Sequence, residues 1–447
     1  MPAWTFHILT FGCKVNQYES QALREAWQGL GGAECAQAAD ADVICINSCA
    51  ITARGERDAR NAVFRLRRAA PAARIILTGC ATRLFADFVP RPGAAYAQPD
   101  WLVPQEDKNL LLRGPWPESG DSSKQSAWPP FKVSHFWRAR PVLKVQDGCA
   151  HRCTYCIVPL TRGKPRSRPP QAVLEEARRL LRVGHAELML SGINLHQYGR
   201  DEPSYGDFWD LLAFLDASLA PEFAGRARLR ISSLEPSQLD ARGLEVLASC
   251  RLLCPHLHIS LQHASPLVLK RMGRGHYSAA MLEKAVTALA RHWPVFGLGA
   301  DILTGFPGEG EEDMELLLAL IRRLPLSYAH VFPYSRRPGT AAAGFPHQLP
   351  QVLKQERAAC LRAAVAERQR EFWLSQLGLE GMMVVADHTA TAAEGTVQGT
   401  GKGVNQYYVP CRFSVPAGQQ LSGILPVRPL CLAPDGLEVT LLSRQEA

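Results

Sequence analysis

Residues 147–159 read DGCAHRCTYCIVP, and this stretch decides how the chain is read. Cys149, Cys153 and Cys156 follow one another with the spacing C-x3-C-x2-C, directly after Val142–Val145, an apolar run with the composition of a strand. A [4Fe-4S] cluster normally takes four cysteines, so three thiolates on one loop can hold three irons and leave the fourth open. Zinc is the alternative, but it asks for a fourth Cys or His, and His151 is the only local candidate. Tyr155, between the last two cysteines, suits either packing or a cofactor contact.

Outward from this loop, strand-like and helical text alternates as far as Tyr334. Strands are expected at Val142–Val145, Ala186–Ser191, Ala227–Ser232, Leu257–Leu261, Val295–Leu303 and Tyr328–Phe332. Helices fall between them, as in AVLEEARRLLRVG, where Leu174, Ala177, Leu180 and Leu181 share a face. Such a run of βα units makes either a partial TIM-like barrel or a doubly wound sheet. A helical segment from Pro350 to Leu377 leads out of it, and the text after Gly381 has the short strands and Gly/Pro breaks of a small β-barrel.

Upstream, a smaller parallel α/β unit is expected from Trp4 to Arg113, with strands at Phe6–Thr10, Asp42–Asn47 and Arg74–Thr78. The fold class is therefore α/β, with domains at 1–113, 141–375 and 376–447 and a Pro/Ser/Gly-rich linker at 114–140. Each strand of the first domain runs into a cysteine: Cys13 in FGCKVNQ, Cys49 in INSCAIT and Cys80 in LTGCATR. In a parallel sheet the carboxyl ends of all strands share one edge, so these three cysteines converge there. They are candidates for a second cluster with an open iron, with Lys14, Asn16 and Gln17 at its mouth. Cys45, in mid-strand, and Cys35 read as small buried hydrophobes.

Bulk properties are those of an ordinary soluble globular protein. The 447 residues are 47% hydrophobic and 21% charged, and no apolar stretch approaches the roughly 18 residues that span a bilayer. A cytoplasmic location is expected. Thirteen cysteines, an odd number, point in a reducing compartment to metal binding or catalysis rather than a disulfide framework. The net charge of +8 hints at a polyanionic partner. Arg162, Lys164, Arg166 and Arg168, packed into RGKPRSR, are placed to meet phosphates, and Lys402, Tyr407, Tyr408 and Arg412, interleaved in GKGVNQYYVPCR, suit RNA backbones and unstacked bases.

The stretches FGCKVNQYES, INSCAIT, QDGCAHRCTYCIVPLTRGKPRSR, LSGINLHQYG, ISSLEP, HISLQ, ADILTGFPGE and HVFPYSRRPGTAA together resemble the radical-SAM methylthiotransferases over nearly the whole chain. The resemblance implies an amino-terminal cluster domain, a partial (β/α)6 radical-SAM barrel and a terminal RNA-binding β-barrel of the TRAM type. It implies two [4Fe-4S] clusters, one on Cys149, Cys153 and Cys156 and one on Cys13, Cys49 and Cys80, with S-adenosylmethionine (SAM) as radical source and methyl donor. Tyr155, Ser191, Gly192, Glu235 and Gln262 are then SAM contacts. GCKVNQ and HVFPYSRRPGT look most like the subgroup acting on threonylcarbamoylated adenosine beside the anticodon, whose carboxylate calls for cations such as Lys14, Arg336 and Arg337. The implied partners are a tRNA anticodon stem-loop, a low-potential electron donor and a sulfur source, served by a monomer.

Carbon 2 of adenine carries an unactivated C–H bond that acid/base chemistry cannot replace with sulfur, which explains why such a reaction needs radical and iron-sulfur cofactors. The sequence departs from the family at His263, Ala264 and Ser265, after LQ, and over Gly273–His276. Isopentenyladenosine or a ribosomal-protein aspartate are the other substrates of the family. An iron-sulfur electron carrier or RNA-binding scaffold is the reading without SAM chemistry.

Overall fold

The computed structural model describes residues 4–86, 98–116, 128, 131–388, 398–416 and 421–442. It divides into two compact units: 1–134, 144–168 and 335–344 form one, and 135–143, 169–334 and 345–447 the other.

The first unit is built on five strands, β1 (Trp4–Thr10), β2 (Gly32–Glu34), β3 (Val43–Ser48), β4 (Arg74–Gly79) and β5 (Trp101–Leu102), with helices α1 (Lys14–Gly29), α2 (Ala53–Ala69) and α3 (Thr82–Ala86). All neighbours are parallel and the order is β2-β1-β3-β4-β5, so the chain reverses its direction of travel between β1 and β3. β3 is buried along its whole length, as expected of a strand covered on both faces. Ile44, Ile46, Ile75 and Leu77 are fully buried against Ala59, Ala62 and Val63 of α2. Each such aliphatic side chain contributes about 1.5–3 kcal/mol. Thr52 caps α2 by accepting from the Gly55 amide at 3.1 Å, while Arg67 and Arg68 complement its carboxyl end.

The chain re-enters this unit at the last residue of β6 (Val142–Lys144). It then forms the short antiparallel pair β7 (Gln146–Asp147) and β8 (Arg166–Ser167), which closes the cysteine loop, and helix α4 (Val158–Arg162) inside it. Of the stretch read as a linker, residues 117–127 and 129–130 lie outside the described residues. Phe131 and Val133 are buried in the first unit, so part of that text serves as core, while Trp116 and Trp137 are exposed.

In the second unit, β9 (Glu187–Ser191) and β10 (Arg228–Ile231) continue from β6, and β11 (His256–Gln262), β12 (Gly297–Thr304) and β13 (Leu326–Pro333) form a second parallel group. Parallel bridges at Leu229–Leu253 and Leu234–Ile259 join the two groups, so the strands run in chain order as a partial barrel. The expected strand positions agree with these within a few residues. Helices α5 (Pro170–Arg182), α6 (Phe208–Phe223), α7 (Ala241–Ser249), α8 (Pro266–Arg271), α9 (Ala279–Leu289) and α10 (Glu311–Arg323) intervene, and α11 (Gln351–Gln376) leads out.

Strands β14 (Met382–His388), β15 (Gln398–Asn405), β16 (Pro410–Pro416), β17 (Ile424–Ala433) and β18 (Gly436–Leu441) close into a barrel around Val384, Cys411, Phe413, Val427 and Leu437. Arg228 and Arg230 of β10 tie this barrel to the amino ends of the parallel strands by donating to the carbonyls of Met383, Val404, Asn405 and Gln406 at 2.7–3.1 Å. Glu187 bridges both arginines at 2.6 Å and, though burial opposes its charge, they hold its carboxyl at a pKa of about 2. Among the described residues no helix is long and apolar enough to cross a membrane.

Candidate functional site

The sheet order β2-β1-β3-β4-β5 puts a topological switch point between β1 and β3, where open α/β sheets bind ligands at their carboxyl edge. The register aligns Thr10 with Asn47 and Asn47 with Thr78. Cys13, Cys49 and Cys80 follow those three residues by only two or three positions and emerge side by side. A Cβ built on Gly12, the residue before Cys13, would lie 2.7 Å from the Cys49 sulfur. Gly79, before Cys80, has φ +94° and lies so close to β3 that a Cβ there would meet the Ser48 carbonyl at 2.4 Å. Two glycines thus allow the turns that bring the thiols together. Cys13 also caps α1, where the helix dipole favours a thiolate.

Burial pushes the Cys13 thiol up and takes Cys49 to about 11, with each neighbouring thiol adding to the rise. Cys45, fully buried in mid-strand, is pushed to about 12 and belongs to the core, as its position in the sequence implied. Cys35 is half-buried against the core of Ile44, Ile46 and Ile75.

Beside the three thiols lies a buried charge cage that sequence reading missed. Glu19 accepts from Lys108 and Lys144, both at 2.6 Å, and from Arg162 at 3.0 Å. Asp147 accepts from Lys144 at 2.6 Å and from Arg162 at 2.9 Å. Asn47 accepts from Lys108 at 2.9 Å, and Lys144 sits over the rings of Trp128 and Phe131. Burial alone would raise the Glu19 carboxyl, but Arg162, Lys108 and Lys144 hold it well below the usual carboxylate range. Three cations face two carboxylates, which leaves one buried positive charge for an anionic group at the thiols to balance. The donor set fits an iron-sulfur cluster on that ground and by its soft thiolate chemistry.

Cys149, Cys153 and Cys156 are half-buried around an open pocket of about 440 Å³, lined also by His151, Leu160, Lys164 and Thr340. The Cys149 amide donates to the Gly163 carbonyl at 3.0 Å, and the Ala342 amide to Thr154 at 2.8 Å. Gly148, at φ +69°, lets the loop pass within contact of Lys164: a Cβ there would meet the Lys164 carbonyl at 2.0 Å. Among the described residues no three His, Cys, Asp or Glu side chains are grouped as ligands of a single metal ion. A cubane spreads its thiolates over separate irons and does not ask for that grouping. Tyr155, half-buried, stands between the last two cysteines.

In the second unit, Ser191 ends β9 and Gln262 ends β11, with the half-buried Gly192 following Ser191. Gln262 has φ +59°, a backbone strain typical of functional positions, where β11 slips register against β12. Glu235 is buried and fixed by Arg274 at 2.7 Å, His276 at 3.3 Å and Asn194 at 3.4 Å. The departure at Gly273–His276 therefore supplies the clamp on Glu235. At the departure His263, Nδ1 accepts from the Ser265 amide at 3.0 Å, Nε2 faces the Glu309 carboxylate at 3.6 Å, and Ser265 caps α8.

Several expected contacts are corrected by burial. Arg162 and Arg168 point inward, Arg168 toward the Tyr18 hydroxyl at 3.2 Å, so of its four cations RGKPRSR presents the exposed Lys164 and the half-buried Arg166 to solvent. Tyr407, half-buried, packs against the terminal barrel core, and its carbonyl lies so close to Gly297 that a Cβ there would lie 2.1 Å away. Arg412 bridges Asp435 at 2.7 Å on the surface, while Lys402 is exposed. Arg337 is buried and paired with Glu56 at 2.6 Å, Arg336 is exposed, and Lys14 is half-buried. The buried members were missed because a run of arginines has no hydropathy period that separates inward from outward positions.

Residues 143–321 match the model of the Radical SAM superfamily, and residues 5–89 that of an uncharacterized protein family, UPF0004. The chain is 31% identical over 395 residues to the threonylcarbamoyladenosine tRNA methylthiotransferase MtaB of Aquifex aeolicus, covering 86% of this chain and 93% of that one. It is 34% identical to MtaB of Bacillus subtilis over 83% and 82% of the two chains. Similarity extends to the tRNA-2-methylthio-N(6)-dimethylallyladenosine synthase of Lawsonia intracellularis, at 31% identity over 87% and 88%. In fold it is similar to the radical S-adenosylmethionine methyltransferase TsrM of Kitasatospora setae, solved with cobalamin and a [4Fe-4S] cluster, with a TM-score of 0.51, 15% identity and 76% of each chain covered. The chain belongs to the radical SAM tRNA methylthiotransferases, whose cofactors are S-adenosylmethionine and [4Fe-4S] clusters.

Proposed function

We propose that this enzyme places a methylthio group on carbon 2 of N6-threonylcarbamoyladenosine beside the tRNA anticodon. Two cysteine triads within one compact unit, each one thiolate short of a full cluster set, carry this reading. Cys149, Cys153 and Cys156 hold one [4Fe-4S] cluster, and Cys13, Cys49 and Cys80 the other. When bound, the clusters and SAM supply the hydrogen-abstracting radical, the sulfur and the methyl group.

The chain's own residues bind and orient. Tyr155, Ser191, Gly192, Glu235 and Gln262 contact SAM, and the salt bridge from Arg274 and the contact with His276 keep Glu235 in one position. Lys164, Arg166 and Lys402 meet RNA phosphates. Arg336 and Lys14 receive the threonylcarbamoyl carboxylate, since Arg337 already has Glu56 as partner. The enzyme is assigned to the cytoplasm as a monomer, with a low-potential electron donor and a sulfur source.

Dimethylallyladenosine as substrate is the second reading, favoured by relatives of that name at similar identity. The purified, reconstituted enzyme is offered anticodon stem-loops carrying either modification. Preferential methylthiolation of the threonylcarbamoyl stem-loop is expected, with a several-fold higher KM in Arg336→Gln; preference for the dimethylallyl stem-loop rejects the first reading.

A further inference from the structure

We propose that Arg162, although it lies on the loop of Cys149, Cys153 and Cys156, is a positioning residue for the other cluster: it orients the Cys80 sulfur and sets that cluster's reduction potential. The inference rests on the reading that Cys13, Cys49 and Cys80 hold a cluster, and it gives this arginine the task of joining the two sites.

Helix α4 begins two residues after Cys156 and is fastened to the exit of β4. Ile157 packs in the same core as Cys80, Ala81 and Phe85. Arg83, three residues after Cys80, donates to the Leu160 carbonyl at 2.8 Å. Arg162 closes the helix and turns its guanidinium the same way, with Nε 3.2 Å from the Cys80 sulfur. Its side chain is 1% exposed.

A guanidinium has five N–H donors in a rigid plane. Here Nη1 reaches Glu19 at 3.0 Å and Asp147 at 2.9 Å, while Nη2 reaches Asn16 at 2.5 Å and Glu19 at 3.3 Å. With four donors engaged by oxygens on the far side, the fifth has a single direction left, toward Cys80. Lysine cannot reproduce this, because its one ammonium lacks the planar fork.

The charge balance points the same way. Lys108, Lys144 and Arg162 outnumber Glu19 and Asp147 by one. An unbalanced charge at this depth is costly unless an anion answers it, and a thiolate-ligated cluster at Cys80 is such an anion. A positive charge and a hydrogen bond at a cluster sulfur favour the more negative, reduced cluster, so Arg162 raises the potential.

The test is a reductive titration of the full-length, reconstituted enzyme, followed by electron paramagnetic resonance, with Arg162→Gln and Arg162→Lys beside the parent and a Cys13→Ala control. The control identifies the signal of the Cys13/Cys49/Cys80 cluster. In Arg162→Gln that signal should move to lower potential with iron content kept and the other cluster's midpoint unmoved, and Arg162→Lys should recover part of the shift. If the glutamine variant loses the cluster, the lysine variant carries the measurement. Unchanged midpoints in an iron-replete variant overturn the proposal, and so does loss of both clusters in both variants, which marks Arg162 as a folding element only. A Cys13→Ala protein with full iron content instead rejects the cluster reading beneath it.

Discussion

The two cysteine triads of this enzyme are built in opposite ways. Cys149, Cys153 and Cys156 come from eight consecutive residues on one loop and are half-exposed around an open pocket. Cys13, Cys49 and Cys80 come from three strand exits, and two of the three are buried next to a five-member charge cage. The first triad is a local feature whose spacing sets its geometry. The second exists only once the sheet has formed, so its geometry depends on register, on two glycine turns and on buried charge. A site made by folding is tied to stability in a way that a site made by spacing is not.

The harshest way to break the comparison is to remove one member of each triad. Cys149→Ala, Cys153→Ala or Cys156→Ala should abolish reductive SAM cleavage, read as 5′-deoxyadenosine, because the set has no spare ligand. Cleavage persisting in all three variants would show that this loop is not where SAM is activated. Cys13→Ala, Cys49→Ala or Cys80→Ala should each lose about four irons and all methylthio transfer while SAM cleavage continues. Equal iron content and equal transfer would return these cysteines to the protein core.

How far each site was legible follows from the same contrast. The loop triad was plain in the spacing of DGCAHRCTYC, and the strand-exit triad was inferable because three β-rich runs each ended in a cysteine. The cage was not legible. Glu19 and Lys108 look like ordinary polar positions of a surface helix and a loop, and only the fold brings them together across 89 residues. Arg162 and Arg168 illustrate the same limit. Their neighbours Lys164 and Arg166 have the same charge, and the inward turn is decided by Glu19, Asp147 and Tyr18, which are remote in sequence.

The cage itself gives the next test in size. Glu19→Gln leaves Lys108, Lys144 and Arg162 facing Asp147 alone, and breaking a buried ion pair costs about 3–5 kcal/mol. Urea unfolding at pH 7 should show a loss of that order. The pH dependence has a definite sign: the folded carboxyl lies below its unfolded value of about 4.3, so its stabilisation is complete above that pH and is lost as pH falls toward the folded value. The difference between parent and variant should therefore begin to narrow below about pH 4 and close only as pH approaches the much lower folded value. Equal urea midpoints at pH 7 would mean that the strand-exit triad does not depend on buried charge.

The smallest effect is expected in residues 162–168, the strip of chain that leaves the loop triad and reaches the cage. Arg162 and Arg168 face inward while Lys164 is exposed and Arg166 half-buried, so the four cations divide between the buried cage and the surface, and only the surface pair is open to the proposed RNA contact. Lys164→Ala with Arg166→Ala should weaken tRNA binding modestly and flatten the dependence of log K on log salt by roughly 0.7–0.9 for each phosphate contact removed, because fewer counterions are released. SAM cleavage without tRNA should not change in Arg166→Ala alone, since Lys164, unlike Arg166, lines the pocket of the loop triad. Arg168→Ala should do the reverse: it withdraws a guanidinium from the Tyr18 hydroxyl and the Lys144 carbonyl, lowering the unfolding midpoint and leaving the salt slope alone. If instead Arg168→Ala flattened the slope as much as the double variant, this strip would have to open toward solvent when tRNA binds, and the separation between a charge-caged triad and an exposed one would hold only for the free enzyme.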